Sequence, residues 1–236
     1  MTKQSFNPSS WRGTAMLLTL LASGCSGLLP KPVAPPSVYV LEGARETQAA
    51  PRAAASALAS GSAPTLLLSA TRSAPGYGSQ HIVYVRVAHQ LEHFAHSEWV
   101  DSPARMLEPL LVAALEQTGT FRAVGSATSA IVGELRLDTE VLRLQQEFGG
   151  GPSRVRFTLR ASLTDNATRQ VISTREFDAT ITAASDDPYG GVVAANRVVQ
   201  QVLQQVASYC VEAAAREPTV LGPTERGPTE REPTKR

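Results

Sequence analysis

Residues 154–181 read RVRFTLRASLTDNATRQVISTREFDATI, and the first half of that stretch decides the fold class. Val155, Phe157, Leu159, Ala161 and Leu163 alternate without a break against Arg154, Arg156, Thr158, Arg160, Ser162 and Thr164. Successive side chains of a strand leave the backbone on opposite sides, so this period of two predicts a strand with one dry face and one wet face. Asp165 and Asn166 supply turn chemistry, and Val171 to Ile181 form the returning strand. Upstream, Leu135, Leu137 and Val141 oppose Glu134, Arg136, Asp138 and Glu140; the phase then flips, and Leu142 and Leu144 oppose Arg143 and Gln145. A β-bulge near Val141 and Leu142 restores the pattern. Gly149, Gly150 and Gly151 before Pro152 read as the turn joining this strand to the next. The three segments predict an antiparallel meander.

Helical spacing flanks the meander on both sides. Asp187 is placed to cap a helix opened by Pro188, with Val192, Ala195, Val199, Val202, Val206 and Cys210 on its apolar side. Arg197, Gln200, Gln201, Gln204 and Ser208 line the opposite side, so Cys210 is most simply a core residue. Earlier in the chain, Asp101 or Ser102 caps a helix beginning at Pro103. Its stripe of Leu107, Leu110, Leu111, Ala114 and Leu115 stops at Gly119. Pro109 lies inside it and removes a backbone bond, a cost near 3 kcal/mol at a regular interior position, which predicts a kink or a shifted start. Ser37 to Leu41, Thr65 to Ser69 and Ile82 to Val87 read as short strands, with a turn at Pro75, Gly76 and Gly78. The expected fold is an α+β two-layer domain over 37–215, a largely antiparallel sheet with two helices packed on one face.

The segments outside that domain have a different character. Lys3 and Arg12 form a basic start, Ala15 to Ala22 a short apolar run, and Ala22, Ser23 and Gly24 the small-residue approach to Cys25. That layout predicts a lipoprotein signal over 1–24, cleaved before a Cys25 that is acylated. The apolar run is too short for a hydrocarbon core about 30 Å thick, which needs about 20 apolar residues. Ser26 in place of an aspartate after the lipidated position favours the outer membrane. Residues 25–36, with Pro30, Pro32, Pro35 and Pro36, read as a tether of roughly 35 Å when extended. Residues 43–64 form a low-complexity Ala/Ser/Pro loop, and 216–236, containing GPTER, GPTER and EPTKR, a disordered charged tail.

Once Lys3 and Arg12 leave with the signal, the remaining basic residues and the 21 acidic ones nearly cancel, so no bulk charge selects nucleic acid or anionic lipid. With Cys25 acylated, Cys210 has no partner for an intramolecular disulfide. His89, Glu92, His93 and His96 lie close together, and His89 with His93 would share a helix face as zinc ligands do. The segment reads at least as well as a hairpin, in which His96 points away, and it lacks the spacing of zinc motifs. Asp186 and Asp187 are paired carboxylates at a position where helix caps are expected. No catalytic, metal or cofactor motif is assigned. Arg154, Arg156 and Arg160 on one strand face suit an acidic partner or a lipid phosphate, or simply solvent.

The string PGYGSQHIVYVRVAHQLEHFAHSEWVDSPARMLEPLLVAALEQTGTFRAV, followed by DDPYGGVVAANR before the last helix, resembles the ABC-type transport auxiliary lipoprotein family over roughly Val38 to Cys210. The resemblance implies a non-enzymatic, lipid-anchored partner of an MCE-domain protein, its permease and its ATPase, with the domain in the periplasm. Lipids or organic solvents would be the cargo. It leaves a homo-oligomer open, and an envelope scaffold without a transport role is the alternative. Phe94 and Trp99 in the hairpin, with Arg154, Arg156 and Arg160, are the candidate partner contacts.

Overall fold

A computed structural model describes residues 35–43, 63–128 and 132–215. The expected signal, Cys25 with nearly all of its tether, nearly all of the low-complexity loop and the tail lie outside the described residues. In chain order the elements are β1 (Ser37–Tyr39), β2 (Thr65–Leu68), β3 (Arg72–Ser73), β4 (His81–Val85), β5 (Glu92–Trp99) and α1 (Pro103–Gln117). They continue with β6 (Ala123–Ser126), β7 (Leu135–Glu147), β8 (Arg154–Asp165), β9 (Val171–Thr182) and α2 (Pro188–Ala215).

The longest of these strands, β7, organises the sheet. On one edge it pairs antiparallel with β8 from Leu135↔Asp165 to Glu147↔Arg154, and β8 pairs antiparallel with β9. Because β8 occupies that edge along its whole length, β2, β3 and β4 share the other edge, all three parallel to β7. They meet it at Leu135–Leu137, Glu140–Val141 and Gln146–Glu147 in turn. Beyond them, β6 runs parallel to β2, β5 antiparallel to β4, and β1 parallel to β5. The sheet is mixed, and mostly antiparallel because its longest pairings are. The expected meander is β7–β8–β9; the parallel pairings are the part that the short apolar runs did not disclose.

The predicted bulge is present, with Val141 opposite Leu159 and Arg143 opposite Thr158, leaving Leu142 as the extra residue. Before it Leu135, Leu137 and Val141 are buried; after it Leu144 is. Arg143 therefore points outward although it shares parity with Val141.

Both helices cover the dry face. α2 packs on β8 and β9, and α1 packs against α2, β6 and β7. Phe157, Leu159 and Leu163 of β8 are fully buried, each contributing about 1.5–3 kcal/mol by removal from water. Their counterparts are Leu107, Leu111 and Leu115 of α1 and Val199, Val202, Val206 and Cys210 of α2, at the expected spacing. α1 starts at Pro103 and continues through Pro109, which lies on its exposed side. Ser102 occupies the N-cap position without a side-chain cap bond; Asp101 instead accepts the Ser102 N–H and pairs with Arg105 at 3.1 Å. No helix among the described residues is long and apolar enough to cross a membrane.

Candidate interaction surface

The DDPYGG motif is a structural junction. Asp187 Oδ1 accepts the Gly190 N–H at 2.7 Å and caps α2, as its spacing predicts. Asp186 has a different role from the expected cap: its Oδ1 accepts the Ser153 N–H at 2.7 Å and ties the helix start to the β7–β8 turn. That backbone hydrogen bond holds the Asp186 carboxyl below its ordinary range. A side chain at Gly190 would meet the Ser185 backbone, and one at Gly191 would meet the side chain of Gln146. Gln146 is buried and donates to Ser153 Oγ at 2.9 Å and to the Asp187 carbonyl at 3.3 Å. Further along α2, Asn196 accepts the Glu42 N–H at 2.6 Å and donates to the Val40 carbonyl at 3.2 Å, fastening the chain after β1 to the helix.

The hairpin divides the two aromatic contact candidates. Trp99 is 3% exposed and belongs to the hydrophobic core, so its expected place on the surface is corrected. It borders a small internal void with Ile82, Leu144, Val155, Gly191 and Ala195, where the start of α2 covers it. Phe94 is half-buried, its ring 4.5 Å from that of Tyr84. Tyr84 also meets Phe148 edge-on at 5.8 Å and lies beneath the Arg86 guanidinium at 4.8 Å.

β4 and β5 form the hairpin that competed with the zinc reading. His89 lies in its turn at φ 70°, His93 and His96 are three apart on β5, and the His93 ring stacks near His81 at 4.8 Å. Among the described residues no group of three His, Cys, Asp or Glu converges as metal ligands do. Cys210 is fully buried, and desolvation pushes its thiol up to about 12. It is the core residue that its place on the α2 stripe indicates.

The three arginines lie together on the outer face of β8, each set against a carboxylate. Arg156 binds both oxygens of Asp178, at 2.9 and 2.7 Å, and Thr158 donates to the same carboxylate at 2.6 Å. The Arg156 hydrogen bond, foremost, holds Asp178 below the usual carboxylate range. Arg160 stands between two strands, 3.2 Å from Glu140 on β7 and 2.6 Å from Glu176 on β9. Arg154 is 3.7 Å from Glu147. Arg86 and Arg143, not among the expected contacts, border the same face beside Arg154 and Arg156. The signal for Arg143 was the phase flip itself, since the residue that follows the extra position of a bulge changes sides.

A family model described as "ABC-type transport auxiliary lipoprotein component" matches residues 44–207. Among solved structures, the chain is similar to protein XCC0632 from Xanthomonas campestris, at 19% identity and a TM-score of 0.64. That likeness covers 76% of this chain and 97% of that one. A second structure, of an uncharacterized protein, is similar at 15% identity and a TM-score of 0.56, covering 76% and 98%. At these identities the likeness shows a shared fold. No curated protein matches the chain.

Proposed function

The chain belongs to the ABC-type transport auxiliary lipoprotein family, and from that premise we propose that it is a non-enzymatic, lipid-anchored auxiliary component of an ABC transporter. Cys25 carries the lipid after cleavage behind Ala22, Ser23 and Gly24, and the domain 37–215 stands in the periplasm at the outer membrane. Its partner is an MCE-domain protein with its permease and ATPase, and the assembly moves lipids or organic solvents across the envelope. Two acyl chains already anchor a protein stably, so an acylated Cys25 suits a component that marks one end of such a path. The family match over 44–207 carries the reading.

Docking uses the outer face of β8 and β9, with Arg154, Arg156 and Arg160, and the half-buried Phe94. Each arginine already has a carboxylate partner, so a docking protein competes with or extends those pairs. Such exchange favours specificity over raw affinity. Trp99 is no longer a contact in this reading.

The test is crosslinking in cells, followed by capture of the chain. Wild type should bring down an MCE-domain protein, Arg160→Gln should bring down less, and Cys25→Ser should leave the membrane fraction and bring down none. If no transporter component is captured, and deletion leaves detergent sensitivity unchanged, the envelope scaffold takes over.

A further inference from the structure

Where the outer face of β7 and β8 meets the turn of the β4–β5 hairpin there is a cleft of about 430 Å³. Arg86, Arg143, Arg154 and Arg156 line it together with Tyr77 and Phe148. Its one lining carboxylate, Glu147, is engaged: Gln145 donates to it at 2.8 Å and Arg154 lies at 3.7 Å. Arg156 is held by Asp178. Among the described residues Arg86 and Arg143 have no carboxylate at ion-pair distance. Arg86 donates to the Tyr84 hydroxyl at 2.9 Å, and Arg143 makes a long contact to Thr158 Oγ1 at 3.4 Å.

Arg143 is half-buried, and a guanidinium has five N–H donors in a fixed fork. Its long contact to Thr158 Oγ1 leaves most of that fork unused, and an anion in the cleft would accept from the remaining donors. The bulge at Leu142 is what places it there. Bulges recur beside functional sites because they redirect a side chain at the expense of one ladder pair. Tyr77, whose hydroxyl donates to Gln145 Oε1 at 2.5 Å, fixes the floor next to Arg143.

We propose that this cleft is a binding site for a phosphate ester. Two guanidiniums from different elements, neither in a direct ion pair among the described residues, offer more donors than the cleft's one carboxylate can accept, and a phosphate group supplies acceptor oxygens to both forks at once. Phe148, Val85 and Leu91 give the cleft an apolar stretch of wall beside the polar His89 and Gln145, which suits the organic part of an ester better than a bare ion. The source is either a lipid headgroup or a soluble phosphate ester. This site does not depend on the transporter reading; the two share Arg154 and Arg156, whereas Arg160 lies outside the cleft lining.

The experiment titrates the full chain in dodecyl maltoside and follows the arginine side-chain NMR signals and binding heat. The probes are glycerol 3-phosphate, inorganic phosphate, micelles doped with phosphatidylglycerol, and a Glu-rich peptide. Saturable binding of a phosphate probe is expected, weakened about tenfold by Arg143→Gln and by Arg86→Gln. Arg175→Gln, on the far side of the sheet over Tyr209, should leave it unchanged. Binding of glycerol 3-phosphate more tightly than inorganic phosphate identifies a free ester, binding of the doped micelles alone identifies a headgroup, and binding of inorganic phosphate alone would overturn the ester assignment. Arg86 is exposed on the hairpin turn, so its replacement leaves folding intact and keeps the test valid if Arg143→Gln unfolds. Failure of every phosphate probe, equal binding by Arg86→Gln, or binding of the Glu-rich peptide alone would overturn the proposal. Arg86→Gln that loses phosphate but still captures the transporter component would separate this site from docking.

Discussion

The two faces of β8 are built from the same twelve residues and do opposite work. Toward the helices, Phe157, Leu159, Ala161 and Leu163 have no exposure, and their contribution comes from area with little demand on angle. Toward solvent, Arg154, Arg156 and Arg160 each face a carboxylate in a defined geometry, yet exposed pairs of this kind contribute only about 0–1 kcal/mol. One face makes the domain; the other can change partners without unfolding it. Stability measurements should therefore answer to inward substitutions and binding measurements to outward ones.

Trp99→Ala tests that division most severely, since the hairpin's aromatic character suggests a surface role and the packing assigns a core one. Truncating a buried aromatic of this size should cost about 3–5 kcal/mol in urea unfolding. A loss below about 1 kcal/mol would return Trp99 to the surface. Gly190→Ala should come next, at about 1–3 kcal/mol, because the added methyl meets the Ser185 backbone at the α2 junction and something there must shift. An unchanged unfolding midpoint would show that the junction relaxes freely and that the glycine is not needed for close approach.

These cases also mark how far the sequence could be read. β7, β8, β9 and both helices were legible because their periods are local, and the bulge at Leu142 was legible because a phase flip has no other simple remedy. The stacking of β2, β3 and β4 along one edge of β7 was not, since parallel pairing joins segments far apart and leaves no mark within a three- or four-residue strand. Trp99 was misread for the same reason: its neighbours in the hairpin are polar, and the cover that buries it comes from α2, about ninety residues on. Within the candidate surface the arginine trio was visible from alternation. Arg143 was visible only through the phase flip that turns it outward, and its meeting with Arg86 was not, because only the pairing of β4 with the end of β7 brings the hairpin turn beside the bulged strand.

The smallest expected effect probes the outer face through Asp178. Its carboxyl titrates below the ordinary value in the folded domain, first because Arg156 binds it and also because Thr158 donates to it. A carboxylate whose folded pKa is depressed contributes stability above its unfolded pKa, near pH 4, and loses that contribution as pH falls through the folded pKa. Asp178→Asn should thus lower stability at pH 7 by less than about 1 kcal/mol, the range for a solvent-screened pair, since both side chains are about two-fifths exposed. The gap between wild type and variant should hold from pH 7 to about pH 5 and close as the pH falls below about 4, read from paired urea titrations. Taking the difference cancels the other carboxyls, which titrate in both proteins. A gap that persists unchanged at pH 2 would mean that hydrogen bonding and shape, not charge, hold Asp178 against β8, and the outer face would then be less exchangeable than its ion pairs imply.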